Sequence, residues 1–208
     1  MFSHKPVMFA SSVRMLVLGL VGALVLMGCE AEEPPEASSA DPDPFTPAEV
    51  ADAPPEGLHD LPNGIMPFDD IVIGGQPTED HLRAAHEQGF RTVVNLRPNE
   101  EFDGFDEGAL VNELGMTYVH IPVAGAEDVT AEKAEALSQL LDDPDNRPML
   151  LHCSSGNRVG SLFAARAHFL LDESPEQALD IGRRAGLTQL EAPLRAQWAD
   201  APNAPDTE

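Results

Sequence analysis

The sequence has few basic residues, few cysteines and few aromatic side chains. Its 208 residues include 12 Lys and Arg against 36 Asp and Glu, for a formal net charge of −24. Such a chain lacks the basic face that nucleic acids require, and anionic lipid headgroups would repel it. Two cysteines are too few for a disulfide scaffold or a cysteine-rich zinc domain. Apolar residues still make up 42% of the chain, which is enough for a folded core.

The apolar run near the start of the sequence is short. It covers residues 15–27, 13 residues against the ~20 of a membrane-spanning helix, and it follows Lys5 and Arg14. A basic start, a short apolar run and a small residue are typical of a secretory signal peptide. The tetrapeptide Leu-Met-Gly-Cys that ends at Cys29 resembles a bacterial lipobox, which implies cleavage before Cys29 and lipid on its sulfur. An ordinary signal peptide with an incidental cysteine is the alternative.

These features predict four segments. Residues 1–28 are expected to be a lipoprotein signal peptide, which places the protein in the bacterial cell envelope, facing the periplasm or the exterior. Residues 29–57 are rich in acids and prolines and lack Lys and Arg, so an extended tether is expected there. Residues 58–199 are expected to fold as one domain, and residues 200–208 to form a disordered tail. Contact with the membrane would then be through the lipid anchor only.

Apolar runs and amphipathic stretches alternate along the predicted domain. Strands are predicted at Ile71–Ile73, Thr92–Leu96, Tyr118–Val123 and Pro148–His152. Helices are predicted at 78–88, 109–114, 131–141 and 159–171, with two more that start near Pro175 and Thr188. This order predicts an α/β fold with a central, mostly parallel sheet flanked by helices. Ligands of such sheets bind beyond the carboxyl ends of the strands.

A cysteine stands directly after the last of these strands, an apolar run that suits the centre of the sheet. The segment His-Cys-Ser-Ser-Gly-Asn-Arg covers 152–158 and links that strand to an apolar helix. Main-chain N–H groups in such a turn, together with the helix N-terminus, form a hollow that suits an anion or a thiolate. Cys153 is therefore a candidate nucleophile, and Arg158 is a candidate clamp for the bound oxygens. The alternative is a buried, unreactive cysteine.

Further residues are candidates for binding the substrate. They are the rest of the loop and one arginine after the second predicted strand, namely Ser154, Ser155, Gly156, Asn157 and Arg97. Arg97 either attracts an anion or only pairs with Glu100 or Glu101. His152 is expected to orient the loop by hydrogen bonding and to point away from Cys153, because side chains alternate along a strand. The sequence shows no metal-ligand cluster and no cofactor motif, so neither is predicted.

The cysteine loop resembles that of the cysteine-dependent phosphatases, the protein tyrosine and dual-specificity phosphatases. Residues 71–187 resemble, more closely, the phosphatase-like domain of bacterial beta-lactamase-hydrolase-like proteins. The segments that carry this resemblance are Ile73–Pro77, Val94–Pro98, His120–Val123, the His-Cys loop and Arg184–Leu187. The resemblance implies a phosphatase-like fold, with Cys153 as the nucleophile and Arg158 as the ligand of the anion.

Three features depart from the phosphatase pattern. Four residues separate Cys153 from Arg158, where phosphatases have five, and this shorter loop resembles that of rhodanese-like sulfurtransferases. Val159 follows the arginine where phosphatases usually have Ser or Thr, and Ser161 and Ser155 are the candidates to replace that hydroxyl. No carboxylate stands at the start of the loop where phosphatases carry their proton donor. The candidates for that role are Asp128, Glu127, Asp103 and Asp106, and Asp128 is the one assigned here.

Three functions therefore stay open. In the first, Cys153 hydrolyses small anionic phosphomonoesters through a phosphocysteine. In the second, it accepts a sulfane sulfur and passes it on as a persulfide. In the third, the loop binds an anion without catalysis.

Overall fold

Short aliphatic runs form the strands of one sheet, and longer amphipathic segments form the helices around it. The computed structural model describes residues 43–48, 52–102 and 104–199. The strands are β1 (Ile65–Phe68), β2 (Ile71–Gly74), β3 (Thr92–Asn95), β4 (Thr117–His120) and β5 (Met149–His152). The helices are α1 (Glu79–Glu87), α2 (Glu107–Glu113), α3 (Ala131–Asp142), α4 (Asn157–Leu170), α5 (Pro175–Arg184) and α6 (Glu191–Ala199).

The sheet has the order β1-β2-β5-β3-β4, with β5 at its centre. Strands β2, β5, β3 and β4 are parallel, and β1 pairs with β2 in the antiparallel sense. This confirms the predicted α/β class with a mostly parallel sheet. Strand β1 is not predicted from the sequence, because it is only four residues long and contains Pro67. Proline cannot donate to a ladder of hydrogen bonds, and an edge strand is where a sheet tolerates it.

Helices cover both faces of the sheet. Val72, Val93 and Leu150 pack against α1 and α2 on one face. The neighbouring residues of the same strands, such as Ile73 and Leu151, pack against α3, α4, α5 and α6 on the other face. Burial on both sides explains why β5 is an uninterrupted apolar run.

Local sequence signals place the ends of several helices. Thr78 is the N-cap of α1 and Ser174 is the N-cap of α5, and each forms a capping box. Glycines let α4 and α5 approach each other closely: a Cβ on Gly160 would lie 2.7 Å from the main-chain oxygen of Gly182 and 2.1 Å from the main-chain nitrogen of Leu187. The contact of these two helices fixes the start of α4, where the cysteine loop ends.

Several described residues of the predicted tether, between 43 and 57, contact the domain. Phe45 is only 6% exposed and belongs to the core beside α4. The Asp43 carboxylate accepts two hydrogen bonds from Arg166, at 2.7 and 3.1 Å. Asp52 pairs with Met66 of β1 as an isolated bridge. A buried aromatic ring and a two-bond ion pair hold this acidic, proline-rich segment on the domain despite its composition.

The other predictions about the ends of the chain lie outside the described residues. These are the signal peptide at 1–28, the lipidated Cys29, the tether at 29–42 and the tail at 200–208. Within the described ranges, no helix is both long enough and apolar enough to cross a membrane.

Candidate active site

The cysteine loop lies at the centre of the carboxyl edge of the sheet. His152, the last residue of β5, is in register with Gly74 at the end of β2 and with Asn95 at the end of β3. The next residue, Cys153, donates its main-chain N–H to the Gly74 oxygen at 3.3 Å. The two neighbouring strands therefore fix where the nucleophile candidate leaves the sheet, at the edge where the sequence predicted it.

Two main-chain N–H groups of the loop point to the sulfur of Cys153. The N–H of Gly156 lies 3.1 Å from Sγ, and the N–H of Ser155 lies 3.4 Å from it. Gly156 has φ +85° at the N-cap of α4, a left-handed conformation that favours glycine. Because these donors stand at the N-terminus of a 14-residue helix, they stabilise negative charge on the sulfur. Cys153 is only 1% exposed.

A carboxylate binds to the loop from the side of β3. Arg158 donates from Nη1 and Nη2 to the two carboxylate oxygens of Glu101, at 3.0 and 2.6 Å. The Ser154 hydroxyl donates to the same carboxylate at 2.9 Å. Partial burial opposes ionisation of Glu101, but the hydrogen bonds from Arg158 and Ser154 outweigh it and hold its pKa below the usual 4.5. The loop thus already binds an oxyanion with its arginine and a serine.

Arg97 lies on the same side of the loop, at the end of β3. Its Nη1 donates to the Gln76 side-chain oxygen at 2.5 Å, and its Nη2 donates to the main-chain oxygen of Glu101. Its Nε lies 3.6 Å from the Glu101 carboxylate. Of the two possibilities that the sequence left open, the structure shows the pairing with Glu101. Direct binding of a substrate by Arg97 stays a prediction.

A buried polar network lies beneath the cysteine loop. His152 is fully buried, and its Nε2 lies 2.7 Å from a carboxylate oxygen of Glu107. The Gln76 amide donates to the other Glu107 oxygen at 2.6 Å. His152 Nδ1 lies 3.4 Å from the main-chain oxygen of Cys153. His152 therefore connects to the loop through hydrogen bonds, as predicted, and Glu107 and Gln76 are partners that sequence reasoning missed.

The network joins the two sides of the site. Gln76 donates to Glu107 and accepts from Arg97, and Arg97 in turn contacts Glu101, which binds Arg158. An unbroken series of polar contacts thus runs from the histidine before the cysteine to the arginine at the end of its loop. Gln76 is part of the Gly-Gly-Gln-Pro segment that carried the family resemblance, which is the one sequence signal that could have indicated it.

The Asn157 side chain contacts the turn before α6. Its Oδ1 accepts from the Thr188 N–H at 2.8 Å and from the Leu190 N–H at 3.3 Å. This oxygen ties the start of α4 to that turn, so substrate binding by Asn157 stays a prediction. The hydroxyl of Ser161, a candidate for stabilising the leaving thiolate, donates to the main-chain oxygen of Arg158 at 2.7 Å.

Asp128 follows β4 and is held by two neighbours. Lys133 Nζ lies 2.5 Å from one of its oxygens, and the Ala124 N–H donates to the other at 2.9 Å. The hydrogen bond from Lys133 is the main reason that the pKa of Asp128 is below the usual 3.8. An ionised carboxylate cannot protonate a leaving group, so these contacts count against Asp128 as the proton donor, and that role stays a prediction.

Asp106, another candidate for the proton donor, caps a helix. Asp106 accepts the N–H of Ala109 at 2.9 Å as the N-cap of α2. Asp103 lies outside the described residues. Within the described ranges, no cluster of three or more His, Cys, Asp or Glu side chains could hold a metal ion.

A family model described as a DSP-PTPase phosphatase fused to NAD+ kinase matches residues 69–192. The chain belongs to this family. The matched range runs from the residues before β2 to the start of α6 and contains the whole cysteine loop. The phosphatase-like domain that the loop sequence predicted is therefore confirmed.

Relatives of this DSP-PTPase domain occur within longer proteins. A beta-lactamase hydrolase-like protein of Xylella fastidiosa is 32% identical over 98 residues, which cover 45% of this chain and 22% of the relative. The chloroplastic NAD kinase 2 of Arabidopsis thaliana is 33% identical over 86 residues, 40% of this chain and 9% of the relative. The chain thus matches less than a quarter of the length of either relative.

The fold has solved counterparts. A DUF442 protein from Shewanella putrefaciens superposes with a TM-score of 0.52 at 23% identity. The superposition covers 69% of this chain and 95% of that one. At this identity the likeness supports the phosphatase-type fold.

Proposed function

We propose that the domain hydrolyses phosphomonoesters through a phosphocysteine at Cys153. The observation that carries the proposal is the bound carboxylate of Glu101. Arg158 and Ser154 hold this oxyanion on the same loop that directs two N–H groups at the Cys153 sulfur. A loop that stabilises both an oxyanion and a thiolate has the two charge-binding elements that phosphoryl transfer to sulfur requires.

The reaction takes place in two steps. The Cys153 thiolate attacks phosphorus, the P–O bond to the alcohol breaks, and the alkoxide leaves with the bond's electron pair and takes a proton. Water then attacks the phosphocysteine, which releases inorganic phosphate, a proton and the thiolate. Arg158 neutralises charge on the transferring group in both steps.

Because its contacts count against Asp128 as a proton donor, we expect the domain to prefer substrates with good leaving groups. General-acid help is worth about 10²–10⁴ in rate, and a domain without it hydrolyses alkyl phosphates slowly. Aryl phosphates suffer less, because their phenolate leaves without full protonation. We therefore expect p-nitrophenyl phosphate to be a much better substrate than an alkyl phosphate of similar size.

Steady-state kinetics on the full chain test this proposal. We expect p-nitrophenyl phosphate hydrolysis that Cys153→Ser abolishes and that Arg158→Lys lowers at least about a hundredfold, since lysine cannot form the two-bond fork. Ser138→Ala, a change on α3, is the matched control and should retain the rate. Hydrolysis that survives in Cys153→Ser would contradict a phosphocysteine.

A second candidate function rests on the loop length. Four residues between Cys153 and Arg158 match the rhodanese-like spacing, and transfer of sulfur to an acceptor needs no proton donor. In that reaction the thiolate attacks the outer sulfur of thiosulfate, sulfite leaves with the electron pair of the S–S bond, and a persulfide stays on Cys153. Formation of sulfite by the wild-type chain, and not by Cys153→Ser, would support this alternative.

We also propose that lipid on Cys29 anchors the domain in the bacterial envelope. The proposal rests on the basic start, the short apolar run and the Leu-Met-Gly-Cys tetrapeptide. Labelling with radioactive palmitate in a bacterial host tests it. The wild-type chain should carry label that Cys29→Ala removes, and label that persists in the variant would contradict the proposal.

A further inference from the structure

A cavity of about 730 Å³ adjoins the cysteine loop on the side away from Glu101. Its walls come from the turn before β1, from the cysteine loop itself and from the end of α5 with the turn that follows. Residues that line it include Asn63, Ser155, Gly156, Arg183, Arg184 and Gln189. Its volume is in the range of pockets that bind small organic molecules, and it far exceeds the size of one phosphate group.

The cysteine loop forms one wall of this cavity. Ser155 and Gly156 line it, and the N–H groups of the same two residues contact the Cys153 sulfur. The Asn63 amide donates to the main-chain oxygen of Ser155 at 3.3 Å, so the turn before β1 is hydrogen-bonded to the loop. The cavity and the Cys153 sulfur therefore adjoin the same two residues of the loop.

The charge of the cavity wall is opposite to that of the chain. Acids outnumber bases three to one in the sequence, yet none of the Asp and Glu residues that the structure describes lines the cavity, whereas two arginines do. Ile65 and Ile73 add an apolar portion to the wall. Arginine, amide and hydroxyl groups next to isoleucine side chains suit a small organic ligand that carries an anionic group.

The two arginines differ in how firmly they are held. Arg184 donates to the main-chain oxygen of Pro47 at 2.8 Å and so holds the N-terminal segment on the domain. Arg183 contacts Asp180 at 2.7 Å and Glu191 at 3.3 Å, and its side chain is 41% exposed. Exposed ion pairs of this kind contribute little, so a ligand can exchange for them. Arg183 is therefore the arginine more available to a ligand.

We propose that this cavity binds a second anionic group of the substrate whose phosphate reacts at Cys153. The inference rests on the proposed phosphatase function and narrows its substrate class to small organic phosphates with at least two anionic groups. Arg183 would bind the second group, and the isoleucines would contact the body of the molecule. Selectivity for such substrates over monophosphates follows from the extra contacts.

Binding to the full-length Cys153→Ser chain, measured by isothermal titration calorimetry, tests the inference without hydrolysis. The probes are fructose 1,6-bisphosphate and adenosine 3′,5′-bisphosphate, each compared with its monophosphate. We expect at least one bisphosphate to bind about ten- to a hundredfold more tightly than its monophosphate, as one added charge-assisted contact implies. Adding Arg183→Gln should remove this difference.

Arg83→Gln is the matched control, because Arg83 is 51% exposed, pairs with Glu79, and does not line the cavity. It should leave the difference unchanged. Asp180→Asn should increase it, since this carboxylate contacts both cavity arginines. Equal binding of both bisphosphates and their monophosphates, or an equal loss in the Arg83 variant, would overturn the inference.

The wild-type chain is assayed in parallel with p-nitrophenyl phosphate. Absence of that hydrolysis would refute the phosphatase function, while bisphosphate binding that depends on Arg183 would still support the cavity. Hydrolysis together with equal binding of mono- and bisphosphates would refute only the cavity.

Discussion

Replacement of Glu107 tests whether the buried network beneath the cysteine loop stabilises the domain. The carboxylate accepts from His152 at 2.7 Å and from Gln76 at 2.6 Å. Glu107→Ala removes both acceptors. It leaves the His152 donor buried without a partner, whereas the part-buried Gln76 amide keeps the Pro77 main-chain oxygen at 3.3 Å. At ~1–3 kcal/mol for one unpaired buried group, the free energy of unfolding should fall by about 1–3 kcal/mol.

Glu107→Gln should cost less, for a reason that the geometry supplies. The new amide cannot face Gln76, whose own amide is fixed because its oxygen accepts from Arg97. It can face His152 if the ring proton moves to Nδ1, which lies 3.4 Å from the Cys153 main-chain oxygen. Glutamine keeps the shape of glutamate, and each polar group of the network has a hydrogen-bond partner. We therefore expect the free energy of unfolding to fall by about 1 kcal/mol.

Urea unfolding of the full chain measures these differences. The single tryptophan, Trp198 of α6, is 5% exposed, and its fluorescence reports unfolding of the domain. Glu113→Ala, an exposed change on the same helix, is the matched control and should lie within about 0.5 kcal/mol of wild type. Equal stability of the Glu107→Ala and Glu113→Ala variants would refute the network as a stabilising element.

Three further predictions concern other parts of the domain. Because the pKa of Glu101 is lowered in the folded state, its fork to Arg158 stabilises the protein above pH 4.5 and is lost as the pH falls below that. In urea unfolding, the free energy of unfolding should decrease less between neutral and acidic pH for Glu101→Gln than for Glu100→Gln. Equal decreases would contradict this linkage. Asp128→Asn should keep turnover of phenyl phosphate within about twofold, whereas a drop of 10²–10⁴ would identify Asp128 as the proton donor after all. Gly160→Ala should lower the free energy of unfolding by about 2–3 kcal/mol, because its Cβ would meet main-chain atoms of α5 and the turn after it; thermal unfolding near that of wild type would show that the helices can separate without cost.

Local sequence patterns were enough to predict most of the fold. The apolar β5 run, the capping residues Thr78 and Ser174, and the alternation of strands with helices are all encoded by neighbouring residues. Strand β1 escaped prediction because it is short, contains a proline and depends on pairing with β2. Residues 43–48 escaped it because a distant arginine, Arg166, holds Asp43 to the domain.

The same distinction between local and distant contacts holds for the candidate site. Cys153 and Arg158 are recognisable because their chemistry depends on a contiguous loop between a strand and a helix. Glu107 lies 45 residues from His152, and the packing of α2 on the sheet brings the two together. The Asn157 amide shows the converse, since it looks like part of the loop but contacts a turn 31 residues away. Contacts across the fold, which have no local pattern, were the ones missed.

Intact mass spectrometry of the full chain, after brief exposure to p-nitrophenyl phosphate and acid quenching, tests directly whether Cys153 forms a phosphocysteine. A parallel sample receives thiosulfate, and Cys153→Ser is the control for both. The account predicts one added phosphoryl group on the wild-type chain, absent from the control. One added sulfur atom, without a phosphoryl adduct, would contradict it and establish sulfur transfer. Neither adduct, with Cys153 still open to alkylation, would contradict both chemistries and favour an anion-binding domain.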